Sequence, residues 1–370
     1  MGQPLTPMNI GMIGCGNISA QYLKSFPSLD GVRLVAVADL DLERAKAVAA
    51  EHPGVRALTV EDLISDPEVD GVLNLTIPAA HAEIALAAIA AGKHVYGEKP
   101  FAATLAEARQ VMEAATAAGL VVGCAPDTVL GTGTQTARHA IDEGLIGRPV
   151  SATATMIGAG HESWHPNPDF YYQPGGGPLL DMGPYYVSSL ITLLGPVTSV
   201  FGAASHTRDA RTIGSGPRAG VSIPVEIDTH VTGILVHASG ALSTLVMSFD
   251  GVATQAANIE IHGEKGSLIV PDPNGFAGDV KLRTLGSTAW ETLPATAGYI
   301  GASRGTGLND LANTPAGEEP RAGGQLAFHA LEIMESILAS AHTGAPVTLS
   351  SRCERPVAVP LSAAAAEVAH

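Results

Sequence analysis

Cysteine is scarce. The chain holds three in 370 residues, Cys15, Cys124 and Cys353, far apart and with no C-x-x-C pair. That argues against a disulfide framework and a cysteine zinc site. Aromatic residues are only 4%, so the core is expected to be mostly alanine, valine, leucine and isoleucine. Basic side chains are outnumbered 20 to 36, giving a net charge of −16. With no basic block, nucleic acid and anionic membranes are poor partners. No apolar run approaches the roughly 20 residues that a membrane helix needs. Met1 to Asn9 lack a basic stretch followed by an apolar one, so no signal peptide is expected. These absences predict a cytoplasmic protein.

Hydrophobic residues, by contrast, make up 46% and charged residues 15%, enough for a sizeable core. Glycine is common, at 42 residues, but has no triplet period, which excludes collagen. At roughly 150 residues per domain, the length predicts two domains. Residues 1–126 alternate strand and helix patterns. Met8–Ile13, Val32–Ala38, Val72–Thr76, Lys93–Tyr96 and Leu120–Cys124 read as strands. Asn17–Phe26, Asp41–Glu51, Ala79–Ala91 and Thr104–Ala118 read as helices, the last with a capping box of Thr104 and Glu107. Such alternation predicts an α/β domain with a parallel sheet covered on both faces. Residues 127–370 read differently. Helices are expected at Thr134–Glu143, Pro178–Leu194 and Gln325–Ala341. Strands are expected at Val225–Val231, Ala241–Phe249, Ala257–His262, Ser267–Val270 and Val280–Leu285, forming a mostly antiparallel sheet with one covered face. Arg208–Val221 and Gly301–Glu319 read as long loops.

The first strand runs into Gly14-Cys15-Gly16-Asn17-Ile18-Ser19, a G-x-G-x-x-S sequence between strand and helix. Gly14 allows the tight turn and Gly16 the approach of a pyrophosphate, with the following helix start, Asn17 and Ile18, facing the phosphates. Asp39 ends the second strand, where a carboxylate accepts hydrogen bonds from a ribose diol and repels a 2′-phosphate. No arginine immediately follows it, so NAD is favoured over NADP. A plain strand–turn–helix, with Asp39 as a helix cap, is the alternative for each piece taken alone.

Thr76-Ile77-Pro78 with His81, followed by Ala91-Gly92-Lys93-His94-Val95-Tyr96-Gly97-Glu98-Lys99-Pro100, resembles the glucose–fructose oxidoreductase/inositol dehydrogenase/rhizopine-catabolism (Gfo/Idh/MocA) family. The block Gly175-Gly176-Gly177-Pro178-Leu179-Leu180-Asp181-Met182-Gly183-Pro184-Tyr185 resembles its second motif, and Gly263-Glu264-Lys265-Gly266 a turn of its C-terminal sheet. The resemblance implies a Rossmann domain followed by an α/β domain with a large open sheet. It implies a sugar, polyol or glycoside substrate held against the nicotinamide between the domains. It also implies a homo-oligomer, dimer or tetramer, formed through that sheet. Thr76, Pro78, His81, Glu98 and Lys99 are then expected near the cofactor.

Oxidising a carbinol needs a proton acceptor within hydrogen-bond reach of the oxygen as the hydride leaves. Lys99 follows a parallel strand at the end where such sheets bind ligands. Asp181 and Tyr185, four apart on a helix, share a face. Tyr185 stands where many relatives of the resembled family have histidine. A free phenol, with a pKa of about 10, is a poor base unless assisted. Lys99 and Tyr185 are therefore read as the proton relay and Asp181 as the orienting acid. His161-Glu162-Ser163-Trp164-His165 spells H-E-x-x-H, but Gly160 before it and Pro166 after it leave no room for the helix a zinc site needs. No metal is expected. His161, Trp164, His165 and Asn167 are candidate sugar contacts, with Trp164 and His165 favoured. Tyr171 and Tyr172 are read as packing, and Arg321, Gln325 and His329 are left unassigned. Two other readings stay open at this point: a hydride-recycling glycosidase or lyase working through a transient keto-sugar, and a redox-inert nucleotide sensor.

Overall fold

The computed structural model describes residues 7–363. Most of the stretch read for a leader therefore lies outside the described residues. The chain divides into two compact units. The first runs to Gly131 and takes in Ala297–Phe328 and the segment from Pro356; the second holds Thr132–Thr296 and His329–Arg355.

The first unit carries a six-stranded parallel sheet: β1 (Met8–Ile13), β2 (Val32–Ala38), β3 (Arg56–Leu58), β4 (Gly71–Asn74), β5 (His94–Gly97) and β6 (Val122–Cys124). The strand order is β3-β2-β1-β4-β5-β6. Chain progress therefore reverses between β1 and β4, and the carboxyl ends of these two strands form the crevice where doubly wound sheets bind ligands. Ile10, Met12, Val72, Leu73 and Tyr96 are buried, as the apolar strand runs predict for a sheet covered on both faces. The connecting helices are α1 (Ser19–Ser25), α2 (Leu42–Glu51), α3 (Val60–Ser65), α4 (His81–Ala90) and α5 (Leu105–Ala118). The capping box of α5 is present, Thr104 and Glu107 exchanging side-chain and backbone bonds, and the helix ends on Gly119 at φ 65°. Strand β3 and helix α3 escape the sequence pattern because each is shorter than two full periods of its element.

A second correction concerns Gly301–Glu319, expected as loop. Residues Thr306–Ala312 form a helix there. Its start is fixed from far away in sequence: buried Asp127 accepts the backbone N–H groups of Gly305 (2.9 Å) and Gly307 (3.2 Å) and pairs with Arg304. Burial raises the pKa of the Asp127 carboxyl, and Arg304 pulls it back.

The second unit is built on a nine-stranded sheet. Its members are β7 (Pro149–Ile157), β8 (Val197–Ser205), β11 (His230–His237), β12 (Leu242–Ser248), β13 (Ile259–Gly263), β14 (Gly266–Val270), β15 (Lys281–Thr284), β16 (Glu291–Thr292) and the short strand Val347–Thr348. Between β8 and β11 lies a separate hairpin-like pair, β9 (Ala210–Thr212) with β10 (Ser222–Pro224). The sheet order is β16-β15-β14-β13-β7-β12-β11-β8 and then Val347–Thr348. All pairings are antiparallel except β7 with β12. Helices α6 (Thr132–Asp142) and α7 (Pro178–Leu194) belong to the same unit, and α7 packs against β7, β11 and β12. The strand expected at Val225–Val231 is not formed as such. Its first residues bond elsewhere, Val225 N–H to the Asp209 carbonyl and Glu226 N–H to that of Tyr172, and the ladder starts only at His230.

His329, on the helix Gly324–Thr343, is fully buried. Its Nε2 accepts the Val197 N–H (3.1 Å), and its Nδ1 lies 2.6 Å from Ser351 Oγ. A ring with Nε2 as acceptor must be neutral, and burial lowers its pKa from 6.5 to about 4. Between those values the unfolded chain binds a proton that the folded chain refuses. The stability held by the neutral ring is thus complete above the unfolded pKa and is lost as pH falls towards about 4, by up to about 3 kcal/mol. Urea unfolding across this range should show a shallower loss in His329→Gln than in the native protein. Equal slopes would refute the assignment.

Candidate active site

The turn after β1 is built around Gly14, at φ 102°. A Cβ there would stand 2.6 Å from the Leu75 carbonyl oxygen, so the close passage of this turn over the end of β4 requires glycine. Gly16 differs: nothing lies within 4 Å of its Cβ position, and Gly16 and Asn17 are exposed. The backbone is thus bare where a pyrophosphate would approach. Helix α1 opens at Ser19, two residues later than expected, with the Ser19 hydroxyl donating to the Gly16 carbonyl (2.6 Å). Ile18 is its N-cap.

Asp39 is not the cap of α2. That role belongs to Asp41, whose carboxylate accepts the Glu43 N–H. Asp39 instead accepts the Cys15 N–H (2.8 Å) and the Asp41 N–H (2.9 Å), tying the end of β2 to the phosphate turn. Arg44, unremarked in the sequence, reaches to 3.6 Å of this carboxylate. Burial and the Asp39 charge push the Cys15 thiol up to about 11, so it stays protonated. Leu40 and Ile77, 100% and 70% exposed, leave large apolar side chains in water at the carboxyl ends of β2 and β4. A nucleotide with flat aromatic bases and a diphosphate fits these residues: open backbone, anchored acid and bare apolar flanks.

The next loop is held by its own side chains. Asn74 Oδ1 accepts the Thr76 hydroxyl (2.7 Å), and Asn74 Nδ2 donates to the His81 carbonyl. Pro78 is exposed and opens a 3-10 turn ahead of α4. His81 is buried, with Nδ1 2.7 Å from the Pro100 carbonyl oxygen and Nε2 3.1 Å from that of Thr76. It fastens the two loops to each other. Glu98 is similarly committed: Tyr22 Oη donates to one oxygen (2.8 Å) and the Lys99 N–H to the other (3.1 Å). Burial, then Glu98, raises the Tyr22 pKa far above its usual value. Lys99 is therefore half-buried on a main chain fixed on both sides, ahead of a cis Lys99–Pro100 bond.

In the second unit, Asp181 lies in the first turn of α7 and Tyr185, buried, one turn on. The H-E-x-x-H residues form a single turn, not a helix, and no metal-holding group of three or more ligand-type side chains occurs among the described residues. Glu162 is instead buried in an ion cluster. It accepts from Arg211 (2.8 Å) and from the Tyr172 hydroxyl, and Arg211 also donates to Asp250. Sequence reading missed Arg211, which sits in a stretch taken for plain loop. Trp164 (58% exposed) and Phe170 (54%) stand at the outer edge of an aromatic group with His161, His165, Tyr171 and Phe249. His165 Nδ1 accepts the Asn167 N–H. Of the unassigned residues, Arg321 pairs with Asp310, the Gln325 N–H bonds Glu319, and His329 is structural.

Comparison with known proteins adds the following. Residues 8–125 match the GFO_IDH_MocA description "Oxidoreductase family, NAD-binding Rossmann fold", and residues 134–269 match "GFO/IDH/MocA C-terminal domain". The chain is 32% identical to 1,5-anhydro-D-fructose reductase of Ensifer adhaerens over 70% of its own length and 74% of that protein. It is 29% identical to myo-inositol 2-dehydrogenase of Thermotoga maritima, over 75% and 77% respectively. Among solved structures, an NAD binding oxidoreductase from Klebsiella pneumoniae superposes with a TM-score of 0.80 at 25% identity, covering 93% of this chain and 99% of that one. A levoglucosan dehydrogenase in complex with NADH and levoglucosan shares the fold, with a TM-score of 0.77 at 22% identity over 94% and 100%.

Proposed function

The chain belongs to the Gfo/Idh/MocA family of NAD(P)-dependent oxidoreductases, and from that premise we propose that it moves a hydride between nicotinamide and a carbinol carbon of a sugar or polyol. The observation that carries this is the Gly14–Asp39 turn at the crevice between β1 and β4, with Lys99 two residues past the end of β5 in the same sheet. Bound NAD supplies the hydride acceptor. The protein's residues do the rest. Gly14, Gly16, Asn17 and Ile18 hold the diphosphate, and Asp39 holds the adenosine ribose, which favours NAD over NADP. Thr76, Pro78 and Glu98 shape the nicotinamide side, and His81 braces it. Lys99 and Tyr185 relay the hydroxyl proton, Asp181 orients the hydroxyl, and Trp164 and His165 offer ring faces and edges to the sugar. Nucleotide binding is thus assigned to residues 1–126 and substrate recognition to 127–370. Three buried cysteines, none of them in a disulfide, accord with a reducing, cytoplasmic setting. Among the described residues no helix is long and apolar enough to cross a membrane.

The test is NADH absorbance after mixing the protein and NAD with a panel of monosaccharides, inositols and glycosides, each mixture also read by mass spectrometry. Absorbance growth with one class supports the proposal. A changed substrate with flat absorbance would instead establish hydride recycling. Silence with every probe, while NAD binds, would overturn it in favour of a sensor.

The open face of the nine-stranded sheet supports self-association. Phe201 and Ile234, register partners on β8 and β11, are 42% and 44% exposed, and Leu242 on the same face is 49% exposed. Ile234→Asp is expected to shift the protein to a smaller species in sedimentation. An unchanged mass would rule this face out.

A further inference from the structure

We infer that His161 is the positioning residue of the Asp181 carboxylate. The inference rests on the reading of Asp181 as the orienting acid. His161 Nε2 lies 3.0 Å from Asp181 Oδ2. A carboxylate only accepts, so Nε2 carries the hydrogen, and in the neutral ring Nδ1 carries the lone pair. Both side chains are largely shielded, at 21% and 16% exposure, so water screens the pair weakly.

The imidazole is placed from three directions. Tyr171 and Trp164 meet it edge-on, at 4.3 and 5.2 Å between ring centroids, and Phe249 is tilted against it at 4.8 Å. Below it, the turn is anchored by the neighbouring Glu162. Arg211, only 1% exposed at its side chain, donates to Glu162, to the Ala159 and Phe249 carbonyls and to Asp250. Gly160, at φ 96°, lets the turn close down: a Cβ there would stand 2.3 Å from both Glu162 Oε2 and Tyr172 Oη. A side chain held this firmly fixes one oxygen of Asp181, and through it the direction of the other.

Three variants test this: His161→Phe, which keeps the ring volume without a donor, His161→Gln, which keeps an N–H donor, and Asp181→Asn. The assay uses the panel compound that gives the largest NADH signal. His161→Phe should lower kcat about 10- to 100-fold with NAD affinity unchanged. His161→Gln should regain most of kcat. Histidine-labelled NMR of the NAD-bound protein should show His161 as the Nε2–H tautomer, and this should change in Asp181→Asn. The inference falls if His161→Phe keeps native kcat while Asp181→Asn is impaired, or if His161→Gln recovers no more kcat than His161→Phe. It also falls if the tautomer is Nδ1–H. If Asp181→Asn itself turns over normally, the fault lies in the reading of Asp181, and the inference falls with it.

Discussion

Replacing Lys99 by methionine should lower kcat by about 10²–10⁴-fold, the usual worth of a positioned proton-transfer group, while NAD binds as before. The separation follows from how Lys99 is mounted. Its backbone N–H is held by Glu98, which is braced by Tyr22, and the Pro100 carbonyl that follows is held by His81. None of these contacts uses the ammonium group, so methionine keeps this backbone frame and the stem and removes the charged head. The phosphate turn at Gly14–Ser19 and Asp39 is untouched. Equilibrium titration of NAD by protein fluorescence and steady-state rates on the same preparation give both numbers. A kcat within a few-fold of native would remove Lys99 from the relay. A parallel loss of NAD affinity would make it a cofactor ligand instead.

Replacing Arg211 by methionine should destabilise the protein by about 3–5 kcal/mol, because it strands two shielded carboxylates. Glu162 and Asp250 are 10% and 9% exposed, and Arg211 is the only cation paired with either among the described residues. After the substitution, Glu162 retains the Tyr172 hydroxyl and Asp250 that of Thr229 (2.6 Å), but neither has a compensating charge. The contrast is Arg148, which pairs with Glu264 in the open at 72% and 51% exposure. Arg148→Met should cost under about 1 kcal/mol. Urea unfolding of the two variants side by side measures the difference. Similar midpoints would show that the buried cluster holds nothing in place.

These two residues also mark what sequence could and could not convey. Lys99 stood out because its neighbours, a strand before it and Pro100 after it, are local. Most of the run from Met8 to Cys124 was legible for that reason, with β3 and α3 the exceptions: covered strands are apolar runs, and helices such as α5 announce themselves with caps. Arg211 was invisible. Its partners come from 162 and 250, and an arginine in a stretch with Gly214, Gly216 and Pro217 looks like a solvated loop. The helix Thr306–Ala312 was missed on the same grounds, since the acid that secures its start is Asp127. The H-E-x-x-H spelling gave the opposite problem, a local pattern whose members serve two different contacts, His161 to Asp181 and Glu162 to Arg211. The alternation at Val225–Val231 was also misleading, because period two describes side chains and not where the backbone bonds go.

The central place of β7 in its sheet bears on how the chain is made. Ser151 on β7 pairs with Leu242 on one side and His262 on the other. During synthesis this strand leaves the ribosome with neither neighbour yet translated, and both its edges stay open until β12 and β13 follow. Closing such distant pairs is slow compared with forming the local β11–β12 hairpin. The turn that carries His161 leaves directly from the end of β7, and its anchor Asp250 arrives with β12. The second unit's share of the chemistry is thus encoded early and assembled late. A nascent chain halted before residue 242 would hold neither neighbour of β7 nor Asp250, the far anchor of the turn that carries His161.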